Sequence, residues 1–260
     1  MERPTYVFSD GAAYERLMGR WSRRAGAEFL EWLGPARDLD WIDVGCGNGA
    51  FTAEVMRRSS PRTVLGVDPS DGQIAYAKSR DDAVGARFEI GDAMDLPARA
   101  AAFDVATMAL VLAFVPDPQK GAAELARVLR PGGIAAAYMW ALPGGAPIAP
   151  LWQAMAEIGV PVALPPSAHW IEPERMSALW TGAGLRRVEA TTLRIDVEFE
   201  GVADYWEIVT APGGPRGKEF AEMAPDAKGR LRARLDEILV PGADGSVRFR
   251  CRAHAVKGVA

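Results

Sequence analysis

The sequence contains little cysteine and little histidine, with two residues of each among 260. Cys46 and Cys251 lie far apart, which excludes a disulfide-stapled scaffold and a metal site built from cysteines. His169 and His254 are also well separated, which argues against a structural zinc site. We therefore expect a protein that works without a metal.

The sequence also has no excess of basic residues. It contains 30 lysines and arginines and 34 acidic residues, which gives a net charge of −4. This balance does not create the field that attracts nucleic acid or an anionic membrane. The first 24 residues lack the uncharged apolar core of a secretory signal. An uncharged run at 131–156 is interrupted by Pro143, Pro147 and Pro150, which a lipid-exposed helix would not tolerate. We expect a cytoplasmic protein with no membrane or nucleic-acid partner.

The composition is that of a globular domain, with 49% hydrophobic and 25% charged residues. The length fits one large α/β domain over residues 1–260. The first 35 residues have a helical pattern, and short apolar runs then alternate with helical segments to about residue 140. The predicted strands are 41–45, 63–68, 86–90, 103–109 and 134–139, and the helices between them are 51–58, 71–80 and 118–129. Repeated β-α-β units imply a parallel, doubly wound sheet.

Beyond residue 140 the pattern changes. Residues 143–173 are rich in proline and are predicted to form an irregular insertion. We then predict a helix at 173–183, a strand at 185–197, a helix at 219–239 and a strand at 246–256. A second irregular segment is expected at 201–215.

The most informative segment is residues 41–49, with the sequence WIDVGCGNG. Ligands of open α/β sheets bind outside the carboxyl ends of the strands, where the strand order reverses. Gly45 and Gly47 let the backbone turn sharply and approach a ligand closely. Asp43 adds a negative charge, which suits an ammonium or sulfonium and would repel a pyrophosphate. A turn without a ligand and a nicotinamide-binding turn remain open, although the latter requires the spacing G-x-G-x-x-G.

Two further carboxylates follow predicted strands. Asp68 ends the second strand, where an acidic side chain can accept both hydroxyls of a ribose. Asp92 follows the third strand, where a carboxylate can accept the exocyclic amine of an adenine. Together with Asp43, they describe a site for an adenosine-containing cation.

With these motifs in order, the sequence resembles the class I S-adenosylmethionine-dependent methyltransferases, in the broad ubiquinone/menaquinone-type group. The resemblance extends from Trp41 to about Gly133 and includes FDV at 103–105 and ELARVLRPGG at 124–133. It implies a Rossmann-like, seven-stranded, mostly parallel sheet with helices on both faces and a partly helical lid. It also implies S-adenosyl-L-methionine as the cofactor and a small-molecule acceptor as the partner.

The resemblance carries roles to particular cofactor-binding residues. Asp43, Gly45, Cys46 and Gly47 should line the methionine end of the cofactor. Asp68 should hold the ribose hydroxyls. The residues expected to contact the adenine are Pro69, Gln73, Asp92 and Ala93. Ala109 should close the pocket after the fourth strand. The segment 14–22, which contains Trp21, resembles the part that lies over the cofactor in such enzymes.

The sequence departs from the family in the loop after the fourth strand. Related enzymes often have a polar residue at the positions of Ala109 and Ala113, but here residues 110–114 are LVLAF. This removes the usual acid/base candidate and suggests a hydrophobic acceptor. His169 is then the candidate catalytic residue, as a base or hydrogen-bond partner on the insertion, although a surface histidine is the alternative. Trp140 and Trp170 are the candidate substrate-binding residues.

The implied organisation is one methyltransferase domain with four kinds of segment. Residues 1–35 form a helical lid and 36–140 the cofactor-binding core. Residues 141–172 and 200–225 form lid and substrate segments, and 173–199 and 226–260 complete the sheet. In this arrangement methyl transfer is an in-line displacement, which alignment and exclusion of water can accelerate without a metal.

Three alternatives remain. A nicotinamide dehydrogenase of the short-chain type would place a lysine four residues after a tyrosine, and none of the five tyrosines meets this condition. A nucleic-acid methyltransferase would need an Asn/Asp-Pro-Pro-aromatic motif after the fourth strand or a basic tract, and neither is present. A catalytically silent S-adenosylmethionine-binding protein, acting as a partner or regulator, is not excluded by any sequence feature.

Overall fold

The computed structural model describes residues 19–211 and 217–260. Residues 1–18, which include most of the predicted N-terminal lid, and residues 212–216 lie outside the described residues. The first half contains α1 (Arg20–Leu33), β1 (Asp40–Val44), α2 (Ala50–Ser59), β2 (Thr63–Asp68), α3 (Asp71–Lys78), β3 (Arg87–Ile90), β4 (Phe103–Ala109) and α4 (Pro118–Val128). The second half contains β5 (Leu129–Trp140), α5 (Ala149–Glu157), α6 (Pro173–Gly182), β6 (Arg186–Phe199), α7 (Val202–Val209), α8 (Gly217–Glu222), α9 (Pro225–Ile238) and β7 (Val247–Val259).

The described strands form one seven-stranded sheet in the order β3-β2-β1-β4-β5-β7-β6. Strands β1 to β5 pair in parallel, whereas β7 is antiparallel to both β5 and β6. The central parallel strands are apolar runs, because helices cover both of their faces. The sheet confirms the predicted Rossmann-like, mostly parallel fold. Strand order reverses between β1 and β4, so the ligand-binding crevice is expected at the carboxyl ends of these two strands.

Two hydrophobic clusters cover opposite faces of the sheet. The first core cluster joins the strands to helices that include α1, α5, α7 and α9, through residues such as Phe29, Leu151 and Tyr205. The second core cluster joins them to α4 and α6, through residues such as Leu125 and Trp180. The indole N–H of Trp180 donates to the carbonyl of Ala135 on β5 at 3.0 Å, which fixes α6 on the sheet.

The predicted helix at 118–129 is confirmed together with its capping residue. The Asp117 side chain accepts the backbone N–H of Lys120 at 3.0 Å, and Pro118 begins α4. The helix ends at Val128, one residue before its predicted end, because Leu129 already pairs with Phe103 as the first residue of β5. β5 therefore begins five residues earlier than predicted.

The two segments predicted as irregular contain helices, which corrects that prediction. α5 lies inside 143–173 and α7 inside 201–215. In α5, Pro150 misled the prediction because it occupies the first turn of the helix, where a missing N–H has no consequence. The predicted helix at 219–239 is likewise two helices, α8 and α9, and Pro225 begins the second.

Within residues 19–211 and 217–260, no helix combines the length and the apolar character that a membrane crossing requires.

Candidate active site

The turn between β1 and α2 is built from glycines in left-handed backbone conformations. Gly45, Gly47 and Gly49 have φ of 72°, 51° and 79°. A Cβ on Gly45 would lie 2.5 Å from Cγ2 of Val111, so this position requires glycine for space as well as for conformation. The N–H of Gly45 also donates to the carbonyl of Val67 on β2 at 2.7 Å. The turn is thus held rigidly against two neighbouring segments.

Cys46, within this turn, presents its side chain to the protein interior. The thiol is buried in a small cluster with residues such as Ile74 and Phe88. Burial, together with the nearby carboxylates of Asp43 and Asp68, raises the thiol pKa well above its ordinary value, so Cys46 is a neutral thiol. Only its backbone is placed to face a ligand at the turn.

Asp43 is a fully buried carboxyl at the end of β1. Its Oδ2 accepts a hydrogen bond from Oγ1 of Thr52 on α2 at 2.7 Å. Its Oδ1 is buried and has no hydrogen-bond partner among the described residues. Burial raises the pKa of Asp43 to about 7, and the negative charge of Asp68 adds to this effect. An orphaned carboxylate oxygen at a strand end is the feature that a bound cation would satisfy.

Asp68, at the end of β2, is held by the backbone. Its Oδ2 accepts the N–H of Gly47 and its Oδ1 accepts the N–H of Ser70, both at 2.9 Å. Burial raises the pKa of Asp68, and the two N–H bonds oppose this effect. The carboxylate is therefore pre-positioned between the glycine turn and the start of α3.

Pro69 and Gln73 follow on the same segment. Pro69 is exposed, whereas Gln73 is buried, with Oε1 about 4.0 Å from the position that a Cβ on Gly47 would take. The side chain of Ser70 accepts the N–H of Gln73 at 3.4 Å and caps α3. Gln73 and Gly47 thus lie together at the floor of the turn.

Asp92 and Ala93 lie beside Asp68 on the next strand end. The N–H of Gly91 donates to the Asp68 carbonyl at 3.1 Å, which brings the loop after β3 next to β2. Asp92 is exposed, and its Oδ1 accepts the N–H of Met94 at 2.8 Å. The three acidic residues that the sequence singled out therefore lie on adjacent strand ends. Their roles toward a cofactor stay predictions.

The loop after β4 is apolar in three dimensions as well as in sequence. Ala109 is half-buried at the strand end, and Leu110 takes a left-handed conformation with φ of 62°. This conformation directs the chain so that Val111 contacts Gly45. Leu112 and Ala113 are fully buried in the short helical turn Leu112–Phe114. No polar side chain of this loop is available for acid/base chemistry.

The candidate substrate residues lie on opposite faces of the sheet. Trp140, at the end of β5, is 4% exposed in the first core cluster, and its indole nitrogen lacks a partner among the described residues. Trp170 instead packs against the second core cluster. The structure therefore does not bring the two tryptophans together on one face.

His169 accompanies Trp170 on the short helical turn Ala168–Trp170. Its ring is exposed and lies 5.5 Å from the Trp170 ring between centroids. The turn is tied to the loop after β4, because Ser167 Oγ donates to the Val115 carbonyl at 2.7 Å. His169 is thus positioned near the β4 loop but on the surface.

Trp21 on α1 is buried in the first core cluster. Its ring packs against Phe199 on β6 at 5.3 Å between centroids, with the Arg24 guanidinium over the indole. In this environment the indole contributes to the packing of the core. A contact with a cofactor stays a prediction.

The sequence analysis missed two residues of this site, Thr52 and Val111. Thr52 could have been predicted, because a threonine in the first turn of a helix that follows a strand and a glycine turn can donate its hydroxyl to a carboxylate at the end of that strand. Val111 carried no signal, because its contact with Gly45 depends on the backbone conformation of Leu110. Among the described residues, no group of three or more His, Cys, Asp or Glu side chains could hold a metal ion.

The residues present fit an adenosine-containing cation. The orphaned Asp43 oxygen suits a positive group, and the turn at Gly45 and Gly47 leaves the backbone accessible. The fold is a Rossmann-like α/β domain with a seven-stranded, mostly parallel sheet. Its fold is like that of the YcgJ protein of Bacillus subtilis, with a TM-score of 0.58 at 16% identity, over 90% of this chain and 97% of that chain.

Residues 42–137 match the family model described as a methyltransferase domain. The chain is 36% identical over 121 residues to 2-methyl-6-phytyl-1,4-hydroquinone methyltransferase 2, chloroplastic, of Oryza sativa subsp. japonica, covering 45% of this chain and 34% of the relative. It is 38% identical over 115 residues to demethylmenaquinone methyltransferase of Deinococcus radiodurans, covering 44% of this chain and 46% of the relative. The chain thus spans less than half of these relatives' lengths. Residues 42–137 are therefore similar to methyltransferase domains, including those of these two quinone-type methyltransferases.

Proposed function

We propose that the protein transfers a methyl group from S-adenosyl-L-methionine to a small, fairly hydrophobic acceptor by in-line displacement. The observation that carries the proposal is the pairing of two carboxylates at one glycine turn. Asp43 is buried with one unsatisfied oxygen, and Asp68 is clamped by the N–H of Gly47. A cation that also bears a ribose satisfies both groups, whereas a pyrophosphate would be repelled.

Each part of the cofactor has a proposed partner. Asp43 and the glycine turn take the methionine end, Asp68 takes the ribose hydroxyls, and Asp92 with the amide of Ala93 takes the adenine edge. Gln73 and Pro69 border the adenine, while Ala109 and Trp21 close the pocket.

The acceptor side is proposed to be apolar. Ala109, Leu110 and Trp152 all pack against the first core cluster, to which Trp140 belongs. The buried indole N–H groups of Trp140 and Trp152 offer two hydrogen-bond donors in this otherwise apolar wall. A small acceptor with a polar atom beside the methylated position fits this combination. Trp170 and residues 141–172 and 200–225 are proposed to close over it.

When bound, the cofactor supplies an electrophilic methyl group on a sulfonium, with a neutral thioether as the leaving group. The chain's task is therefore to align the acceptor and to exclude water. A general base is needed only for an acceptor that is protonated at working pH, and His169 is the proposed base in that case.

Activity is expected to survive EDTA, because the proposed chemistry uses no metal. Loss of activity on chelation with recovery on adding Mg²⁺ would contradict this account.

The proposal includes a single domain over residues 1–260, a small-molecule partner, a cytoplasmic location, and no nucleic-acid or membrane partner. These parts rest on sequence reasoning.

The first test is calorimetry with S-adenosylhomocysteine and with NADH. We expect binding of the sulfur ligand and none of NADH. Asp68→Ala should lower the affinity by about 1.5–3 kcal/mol, because charge-assisted hydrogen bonds to the ribose are lost. Asp81→Ala, at an exposed aspartate outside the site, is the matched control. An effect of Asp68→Ala below about threefold would make the ribose assignment wrong.

The second test is a metabolite screen with a labelled methyl donor, followed by mass identification of the product. We expect a labelled small molecule whose formation requires Asp68. Binding of S-adenosylhomocysteine without any labelled product would favour a catalytically silent cofactor-binding protein.

A further inference from the structure

The hydrogen bond from the Thr52 hydroxyl to the Asp43 carboxyl lies at the centre of the proposed site. Both side chains are fully buried, and Oγ1 donates to Oδ2 at 2.7 Å. Thr52 is the third residue of α2, so the helix that follows the glycine turn reaches back to the strand that precedes it. The bond thus connects the two elements that flank the proposed cofactor site.

No basic residue compensates the Asp43 carboxyl within the described part of the chain. The neighbouring groups are the Asp68 carboxylate from β2, the neutral Cys46 thiol from the turn, and the hydroxyls of Thr52 from α2 and Thr107 from β4, both of which lower the pKa of Asp43. Thr107 on β4 pairs in register with Asp43 and donates to the carbonyl of Ile42 at 3.3 Å. Glu54, also on α2, is occupied by Arg57 and Arg58. An ionised Asp43 is therefore stabilised by neutral donors alone, against a like charge.

We propose that Thr52 is a positioning residue that favours the ionised form of the Asp43 carboxyl and leaves Oδ1 available, and that cofactor uptake releases to solvent the proton that this carboxyl carries in the free protein at acidic to neutral pH. The inference rests on the proposed function, since the cofactor's positive group replaces the proton as the partner of Oδ1. The exchange conserves charge in the pocket, because a proton leaves as a cation enters. Burial makes the exchange necessary, since a cation gains little from a neutral carboxylic acid.

The pH dependence of binding follows from this exchange. With the pKa of Asp43 at about 7 in the free protein, affinity rises as pH increases and levels off above neutrality. Removing the Thr52 hydroxyl removes a hydrogen bond to the charged form, which raises the pKa further. A shift of about one pH unit is the expected size.

The experiment measures the Kd of S-adenosylhomocysteine by calorimetry between pH 5.5 and 9, in two buffers of different ionisation enthalpy. The unmodified protein should release close to one proton per ligand below pH 7 and fewer above it. T52V should bind about fivefold more weakly at pH 7 and less than twofold more weakly at pH 9. T52S keeps the hydroxyl and should restore the original profile.

Thr63→Val is the matched control, because Thr63 Oγ1 donates to Asp40 Oδ1 at 2.8 Å at the opposite edge of the sheet. This variant should bind as the unmodified protein does. D43N should bind weakly at every pH and release no proton.

Three results would overturn the inference. They are a binding profile independent of pH in the unmodified protein, an equal loss in T52V at all pH values, and a failure of T52S to restore binding. The number of protons released is measured on the unmodified protein, so it tests the proposed proton release even if T52V does not fold. If the unmodified protein binds no S-adenosylhomocysteine at any pH, the proposed function itself fails, which is a distinguishable outcome.

Discussion

Asp43 and Asp68 flank the same glycine turn but are stabilised in different ways. Asp68 accepts two backbone N–H groups, whose positions are fixed by β1 and α3. Asp43 accepts one side-chain hydroxyl and leaves one oxygen unsatisfied. The first arrangement keeps a carboxylate ready for hydroxyl groups, whereas the second stores an unfavourable interaction that a ligand relieves.

Replacement of Asp43 by asparagine should stabilise the ligand-free protein at alkaline pH. The pKa of Asp43 is raised to about 7 from 3.8, so its contribution to stability is present below about pH 4 and is lost as the pH rises through 7. The advantage of Asp43→Asn over the unmodified protein should grow by roughly 2–3 kcal/mol between pH 5 and pH 8. Urea unfolding at the two pH values measures this difference.

The control for this prediction is Asp81→Asn, which changes an exposed carboxylate. It should show no such growth with pH. An Asp43→Asn advantage that is the same at both pH values would mean that Asp43 is not buried in its charged form.

His169→Ala should lower turnover by about 100-fold or less, the lower end of the general acid–base range. The residue is exposed, and the neighbouring Trp170 packs against the second core cluster whereas Trp140 lies in the first, so we expect a small effect. The turnover number with an identified acceptor is the measurement. A loss of several thousandfold, with intact folding and cofactor binding, would identify His169 as a true base.

At the scale of elements, helix α4 supports the loop after β3 that carries Asp92 and Ala93. Glu124 accepts the N–H of Leu96 at 2.8 Å, and Arg127 donates to the carbonyl of Ala98 at 2.8 Å. The Arg127 guanidinium binds Glu124 and holds the pKa of that carboxyl below its usual value. An element on one side of the sheet thus sets the shape of a loop at its carboxyl edge.

Arg127→Met should loosen this loop and weaken S-adenosylhomocysteine binding by roughly three- to tenfold, since two hydrogen bonds to loop carbonyls are lost. Hydrogen exchange of residues 92–99 should rise in parallel. Lys120→Met, an exposed cation on the same helix, should change neither quantity. Faster hydrogen exchange without weaker binding would show that the shape of this loop does not contribute to binding of the adenine.

At the scale of the whole molecule, the two edges of the sheet are specialised. The carboxyl edge carries the glycine turn and the three proposed ligand-binding aspartates. The amino edge carries an ion-pair network in which Arg62 and Arg130 both bind Asp40, and Arg130 also binds Asp104. The hydrogen bond from Arg62 and its companions holds the pKa of Asp40 well below its usual range.

Arg130→Met should lower the free energy of unfolding near pH 7, because it leaves the Asp40 and Asp104 carboxylates with fewer partners. The lowered pKa of Asp40 means that this contribution is present above about pH 4 and is lost as the pH falls. The difference from the unmodified protein should therefore shrink in acid, as measured by urea unfolding at pH 7 and at about pH 2. Binding of S-adenosylhomocysteine should be unaffected.

The comparison variant is Arg250→Met, which removes an ion pair with the exposed Asp196 and should lower the free energy of unfolding less than Arg130→Met does. Equal losses in the two variants would show that the network at the amino edge is not cooperative.

The local pattern of the sequence determined the sheet, the glycine turn and the position of three aspartates on adjacent strand ends. Each of these follows from short-range rules. Apolar runs form buried strands, glycine takes left-handed conformations, and parallel strands share a carboxyl edge. The capping of α4 by Asp117 belongs to the same class, since donor and acceptor lie three residues apart.

Tertiary packing alone decided the rest. The helices α5 and α7 form where Leu151, Tyr205 and Val209 bury their side chains, and in α5 Pro150 is tolerated in the first turn. The separation of Trp140 and Trp170 onto opposite faces depends on where the 167–170 turn docks, through Ser167 on the Val115 carbonyl. The state of Asp43 depends on its complete removal from water and on Thr52. Burial is a property of the assembled layers, so the charge of this carboxyl is set by packing and not by its place in the motif.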